Sequence, residues 1–217
     1  MSLAEVRARI EKSCRAAGRS PADVSLIAVS KFQPPEKVED ILRQGHRLFG
    51  ENRIQEALER WPAFKEKYED IRLHFIGHLQ TNKAREAVAF FDVIETLDSI
   101  RLADTLANEM QKQKRVVPCF IQVNTGEEPQ KGGISPRDLE TLFRHAREIA
   151  GITIEGLMCI PPEGDIPDMH FALLHKLSLE LGLEKRSMGM SSDYEIAIRY
   201  GATHLRIGSA LFGARST

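Results

Sequence analysis

The chemistry open to this sequence starts with one lysine. Lys31 follows the run Leu26-Ile27-Ala28-Val29-Ser30, and an apolar, β-branched run of that length reads as a buried strand. At the end of an inner strand the ammonium lies among neighbours that reduce its hydration, which lowers a lysine pKa and frees the amine to attack carbonyl carbon. A lysine that snorkels to solvent is the alternative. A second constellation joins Met188-Gly189-Met190-Ser191-Ser192-Asp193 to Arg206-Ile207-Gly208-Ser209. Both stretches pass from a strand through a turn to a helix start, where unpaired amides and the positive end of the dipole can receive an anion. Glycine lets the backbone approach a ligand, and the Ser191 and Ser209 hydroxyls can donate to phosphate oxygens. Ordinary helix caps use the same residue types.

A nucleophilic lysine and a phosphate cradle at one mouth are the two features that pyridoxal 5′-phosphate demands, an amine for its aldehyde and an anchor for its ester. Arg206, inside the last strand run, stays protonated. Beside the pyridine nitrogen it would disfavour ring protonation and mute carbanion chemistry. A structural ion pair is the other reading of Arg206.

These residues need strands to present them. Short apolar runs alternate with segments of helical spacing, at Leu26 to Ser30, Arg47 to Gly50, Leu73 to Gly77, Val93 to Leu97, Val117 to Val123, Ile154 to Ile160, Arg186 to Met190 and His204 to Ile207. Helical segments lie between them, as in Leu139, Leu142, Phe143 and Ala146, or Phe171, Leu174, Leu177 and Leu181. Eight units in 217 residues leave about 27 residues each, which suits a (β/α)₈ TIM barrel near its lower size limit. An open doubly wound sheet is the alternative that periodicity leaves standing. In a barrel, the side chains just past each strand share one mouth: Lys31, Glu51, Asn52, His78, Asn124, Ser191, Gly208 and Ser209. Ser135 before Pro136, and Ser192 with Glu195, read as helix starts. Trp61 before Pro62 reads as packing at a helix end.

Composition narrows the function. Apolar residues make up 42% and charged residues 28%, enough for one domain over 1–217 with its own core. The net charge of −1 removes the field that nucleic-acid binders carry. Met1 to Ala17 lacks a continuous apolar signal core, and no run approaches membrane-spanning length, so no membrane association and a cytoplasmic protein are expected. Cys14, Cys119 and Cys159 are odd in number and widely spaced, giving neither a disulfide framework nor a thiolate metal site. His74 and His78 are four apart, but on a strand rather than a helix face, so no metal is expected. Lys83 and Lys131 lie on loops near the mouth, where solvated lysine competes with a secondary role. Lys112, Lys114 and Arg115 read as a solvated helix end.

Several blocks together carry a resemblance: Ala28-Val29-Ser30-Lys31, Phe49-Gly50-Glu51-Asn52, His74-Phe75-Ile76-Gly77-His78-Leu79-Gln80-Thr81-Asn82-Lys83, Val123-Asn124 with Lys131-Gly132-Gly133, Gly156-Leu157-Met158, Ser187-Met188-Gly189-Met190-Ser191, and Arg206-Ile207-Gly208 to Phe212-Gly213. Spanning Ala28 to Arg215 in order, they resemble the YggS/PROSC family of pyridoxal phosphate homeostasis proteins. The resemblance implies a barrel like the alanine racemase N-terminal domain, with an extra N-terminal helix and Lys31 as the aldimine lysine. It implies phosphate contacts from Ser191, Gly208 and Ser209, Arg206 facing the pyridine nitrogen, and Asn52 beside the cofactor, with Met190 and His78 at the same mouth. Family members carry Thr, Ala or Ser at the position of Ser209. The implied role is supply and buffering of the cofactor, with apo pyridoxal phosphate enzymes as recipients and a monomer or weak dimer as the working form. A fold-type III amino-acid racemase is the enzymatic alternative. It needs a second base opposite the lysine, and Tyr68, Tyr194 and Tyr200 all fall in expected helices.

Overall fold

The computed structural model describes residues 1–213; the last four residues of the expected 1–217 domain, Arg215 among them, lie outside the described residues. Eight parallel strands close into a barrel in chain order. They are β1 (Ser25–Val29), β2 (Leu48–Glu51), β3 (Arg72–Phe75), β4 (Val93–Leu97), β5 (Cys119–Gln122), β6 (Ile154–Met158), β7 (Lys185–Ser187) and β8 (His204–Ile207). Closure runs through β1 and β8, with Ile27 opposite Arg206 and Ala28 opposite Ile207. An open sheet would leave those two strands as edges, so the barrel reading is the correct one.

Parallel neighbours need crossovers, supplied by α2 (Pro35–Arg43), α3 (Ile54–Lys67), α4 (Ala84–Phe90), α5 (Ile100–Gln113), α6 (Leu139–Arg144), α7 (Pro167–Glu180) and α8 (Tyr194–Arg199). A short α9 (Ser209–Phe212) follows β8, and α1 (Leu3–Ala16) precedes the barrel. Helix α1 opens with a reciprocal cap, Ser2 accepting from the Glu5 amide while Glu5 accepts from the Ser2 amide. Its buried face, Leu3, Val6, Ile10 and Cys14, packs beside α8 and α9. Among the described residues, no helix is long and apolar enough to cross a membrane.

The main core lies between the strands and the helices. A second, small cluster of Val93, Phe120 and Met158 is separate from it. His204 stacks on His74 at 5.9 Å and meets Phe120 edge-on at 5.3 Å, so rings from three non-adjacent strands converge on the barrel axis. All three cysteines are buried and unpaired. Burial pushes the Cys119 and Cys159 thiols up to about 12.

Four local expectations are corrected. Trp61 lies within α3 rather than at its end, and Pro62 is accommodated on the exposed side of the helix. An internal proline costs about 3 kcal/mol, offset by the buried face of Ile54, Ala57, Trp61 and Phe64. Ser135 pairs with Asp138 instead of starting the helix, its hydroxyl accepting from the Asp138 amide at 3.2 Å, and α6 begins after Asp138. Ser192 is not the start of α8. Asp193 precedes that helix and turns its carboxylate back onto the Met190 amide at 2.6 Å. That turn, with Gly189 at φ +96°, also ends β7 at Ser187, three residues before the expected Met190. A Cβ on Gly189 would come within 2.6 Å of Ala197 Cβ.

Candidate functional site

A cavity of about 550 Å³ opens at the mouth formed by the C-terminal ends of the strands. Lys31, Asn52, Met190, Ser191, Arg206, Gly208 and Ser209 all line it, seven of the eight residues expected from the sequence. His78 is not among them. Strand β3 ends at Phe75, and His78 beyond it is exposed, 3.9 Å from Asp98. Lys83 and Lys131 are also outside the lining, beside Glu86 at 3.5 Å and Glu128 at 2.7 Å.

Lys31 sits on a turn held from outside the barrel. Arg60 of α3 donates to Ser30 O at 2.9 Å and to Gln33 O at 3.0 Å, spanning the turn. The Gln33 amide closes it on Ser30 O at 3.1 Å. Between them Phe32 adopts φ +59°, a left-handed backbone uncommon outside glycine, with the Arg53 guanidinium 4.9 Å over its ring. Arg60 is in turn fixed on Glu51, whose Oε1 accepts from Arg60 at 2.8 Å, Ser30 Oγ at 2.7 Å and Trp61 Nε1 at 3.0 Å. Burial pushes the Glu51 carboxyl above its usual range, against the bonds from Ser30, Arg60 and Trp61. Glu51 therefore lies between β2 and α3, behind the mouth rather than in it. Its motif was visible in the sequence, but its outward direction was not.

Asn52, the next residue, lines the cavity, and its Oδ1 is buried with no partner. The backbone there passes close to β3, since a Cβ on Gly77 would lie 2.1 Å from Asn52 O. Across the mouth, Ser191 Oγ accepts from the Ala210 amide at 3.1 Å, joining the turn after β7 to the start of α9. The hydroxyl proton of Ser191 remains available to a ligand. Asn124, also at a strand end, shapes its own loop by donating to Glu128 O at 2.8 Å.

Arg206 enters the cavity from the barrel interior. It donates to Ser187 Oγ at 2.7 Å and to Cys159 O at 2.7 Å. Ser187 donates to Glu95 Oε2 at 2.6 Å, and Glu95 Oε1 lies 2.6 Å from His74 Nδ1. Burial pushes the Glu95 carboxyl up, but the hydrogen bond and charge of His74 and the charge of Arg206 outweigh it and hold the group below the usual range. Sequence reasoning missed Glu95 and Ser187. The signal for Glu95 was present, a carboxylate in the apolar strand Val93–Leu97 on the same face as Val93.

An amine, a set of hydroxyls, a guanidinium and an unpaired amide oxygen thus converge on one cavity, an arrangement suited to an anionic, carbonyl-bearing ligand. The alanine racemase N-terminal domain family matches residues 1–216 of the chain. The pyridoxal phosphate homeostasis protein of Aquifex aeolicus is 40% identical, covering 98% of this chain and 96% of its own length. That of Pseudomonas aeruginosa is also 40% identical, covering 99% and 94%. Among solved structures, PipY of Synechococcus elongatus with PLP bound superposes with a TM-score of 0.81 at 35% identity, covering 94% of this chain and all of that one.

Proposed function

The chain belongs to the pyridoxal phosphate homeostasis proteins of the alanine racemase N-terminal domain family, and on that footing we propose that it binds pyridoxal 5′-phosphate reversibly at the upper mouth, holding and releasing it. The observation that carries this reading is the convergence of Lys31, Ser191, Ser209 and Arg206 on one cavity. The residues fit the group. Asn52 offers a buried oxygen that nothing in the protein satisfies, and a buried polar atom without a partner is a costly feature outside a binding site.

When bound, the cofactor supplies an aldehyde that condenses reversibly with an amine. Lys31 presents that amine on a turn clamped by Arg60. Ser191 and Ser209 would hold the phosphate with their hydroxyls beside the Gly208 backbone. A side chain at Gly208 would crowd Val29, whose carbonyl would be 3.3 Å from the added Cβ. Arg206 would meet the ring nitrogen with a donor, keeping that nitrogen unprotonated. The mouth leaves the ligand open to free amines and to apo-enzymes, the recipients that a cytoplasmic buffer would serve.

The racemase reading finds less support. Among the described residues that line the cavity there is no tyrosine. Tyr194, the nearest candidate in sequence, is buried and does not line the cavity. Tyr68 bonds Glu39 on an outer helix at 3.3 Å.

Borohydride reduction of the loaded protein followed by peptide mapping tests the reading. The label is expected on the peptide containing Lys31, and an unmodified peptide there would overturn it. Lys31-dependent exchange of the Cα proton of added amino acids at enzymatic rates would favour catalysis over buffering.

A further inference from the structure

Arg206 arrives at the cavity with two donors already committed to the barrel wall, at Ser187 Oγ and Cys159 O, each at 2.7 Å. The hydroxyl of Ser187 is committed in turn to Glu95 Oε2 at 2.6 Å. Ser187 and Glu95 are fully buried, and His74 and Arg206 nearly so. A guanidinium can only donate and a carboxylate can only accept. The hydroxyl between them therefore has one permitted orientation, accepting from Arg206 and donating to Glu95. The direction of every bond in the chain is set by the carboxylate on the barrel axis, which also supplies the counter-charge that a buried guanidinium requires.

We propose that Glu95 and Ser187 are positioning residues for Arg206, aiming its remaining N–H groups into the cavity. The proposal rests on the cofactor reading above, in which Arg206 meets the ring nitrogen. The isostere glutamine exposes the logic. If its oxygen keeps the bond from His74, its amide nitrogen faces Ser187, so that hydroxyl receives two donors and its own proton has no acceptor.

The experiment uses the full-length protein titrated with pyridoxal 5′-phosphate. Retention is read by dialysis, and the environment of the ring by the visible band of the Lys31 adduct. Glu95→Gln, Ser187→Ala, Arg206→Gln and the Glu95→Gln/Arg206→Gln double variant are compared after their folding is verified by circular dichroism. Glu95→Gln and Ser187→Ala should each weaken retention roughly fivefold or more and move the band in the same direction as Arg206→Gln. The double variant should be no worse than Arg206→Gln alone, because both act through one guanidinium. Additive losses in the double variant, or an unmoved band in Ser187→Ala, would overturn the proposal. If Glu95→Gln does not fold, Ser187→Ala and Ser187→Ala/Arg206→Gln decide, since they leave the Glu95–His74 pair intact. A missing band in the unsubstituted protein overturns the cofactor reading instead.

Discussion

Trp61 donates its indole N–H to Glu51 Oε1 at 3.0 Å, on the same oxygen that accepts from Ser30, the residue before Lys31. The indole is fully buried and packs against Phe49 at 4.8 Å and Phe64 at 5.7 Å. One side chain of α3 thus reaches the base of the Lys31 turn. Trp61→Phe keeps most of the packing and removes the donor. It should cost about 1–3 kcal/mol, read as a lower urea midpoint. An unchanged midpoint would show that Ser30 and Arg60 satisfy Glu51 unaided.

Ser191→Ala removes a hydroxyl from the cavity and the acceptor of the Ala210 amide. A charge-assisted bond to phosphate contributes about 1–3 kcal/mol. Pyridoxal 5′-phosphate should therefore dialyse away roughly 5- to 150-fold more readily from the variant. Equal retention would assign the anchor to backbone amides alone.

Gly77→Ala forces a methyl group toward Asn52 O, 2.1 Å from the ideal Cβ position. Backbone must move on β2 or β3, and overpacking of this kind costs about 1–3 kcal/mol. The expected outcome is a lower melting temperature together with weaker retention of the ligand, because the displaced residue lines the cavity. A stable variant that binds normally would mean the two strands part without disturbing Asn52.

Acid should destabilise the fold before most carboxylates titrate. His46 is pushed from 6.5 to about 4, by burial first, against the bond it makes to Leu48 O; His204 is also pushed to about 4 by burial, against the charge of Glu95. Below about pH 6.5 the unfolded chain binds protons at these sites that the native state refuses, so stability falls as pH drops from about 6.5 to about 4. Glu51 works in the opposite sense, its raised pKa removing stability as pH rises above its unfolded value of 4.5. His46→Gln, far from the cavity, should show a shallower decline across the window in denaturant titrations at stepped pH. A slope identical to the parent would exclude His46 as a contributor.

The strands were legible because buried parallel strands are written as short β-branched runs; Val93–Leu97 and His204–Ile207 coincide with the expected bounds. Lys31 and Ser191 were legible because strand ends in a barrel share a mouth, and Arg206 because it is a cation inside the last strand run. The supports of these residues were not. Ser187 and Glu95 are 92 residues apart, and no periodicity links a hydroxyl to a carboxylate over that distance. Trp61 read as packing at a helix end, Arg60 carried no signal at all, and only the fold shows that both face Glu51. His78 read as a mouth residue by position alone; it lies past the end of β3 beside Asp98 and does not line the cavity.

The pairing of β1 with β8 sets Ser25 opposite His204 and Ile27 opposite Arg206. The amine and the guanidinium of the site therefore come from strands that meet only when the barrel shuts, across a separation of nearly the whole chain. Contacts of such long range form late, since the loop must be closed before they contribute. A chain emerging from the ribosome exposes Lys31 long before Arg206 exists, so the two can share one cavity only after β8 has been made. A truncation before β8 would leave Lys31 without Arg206, Gly208 and Ser209, which line the cavity with it.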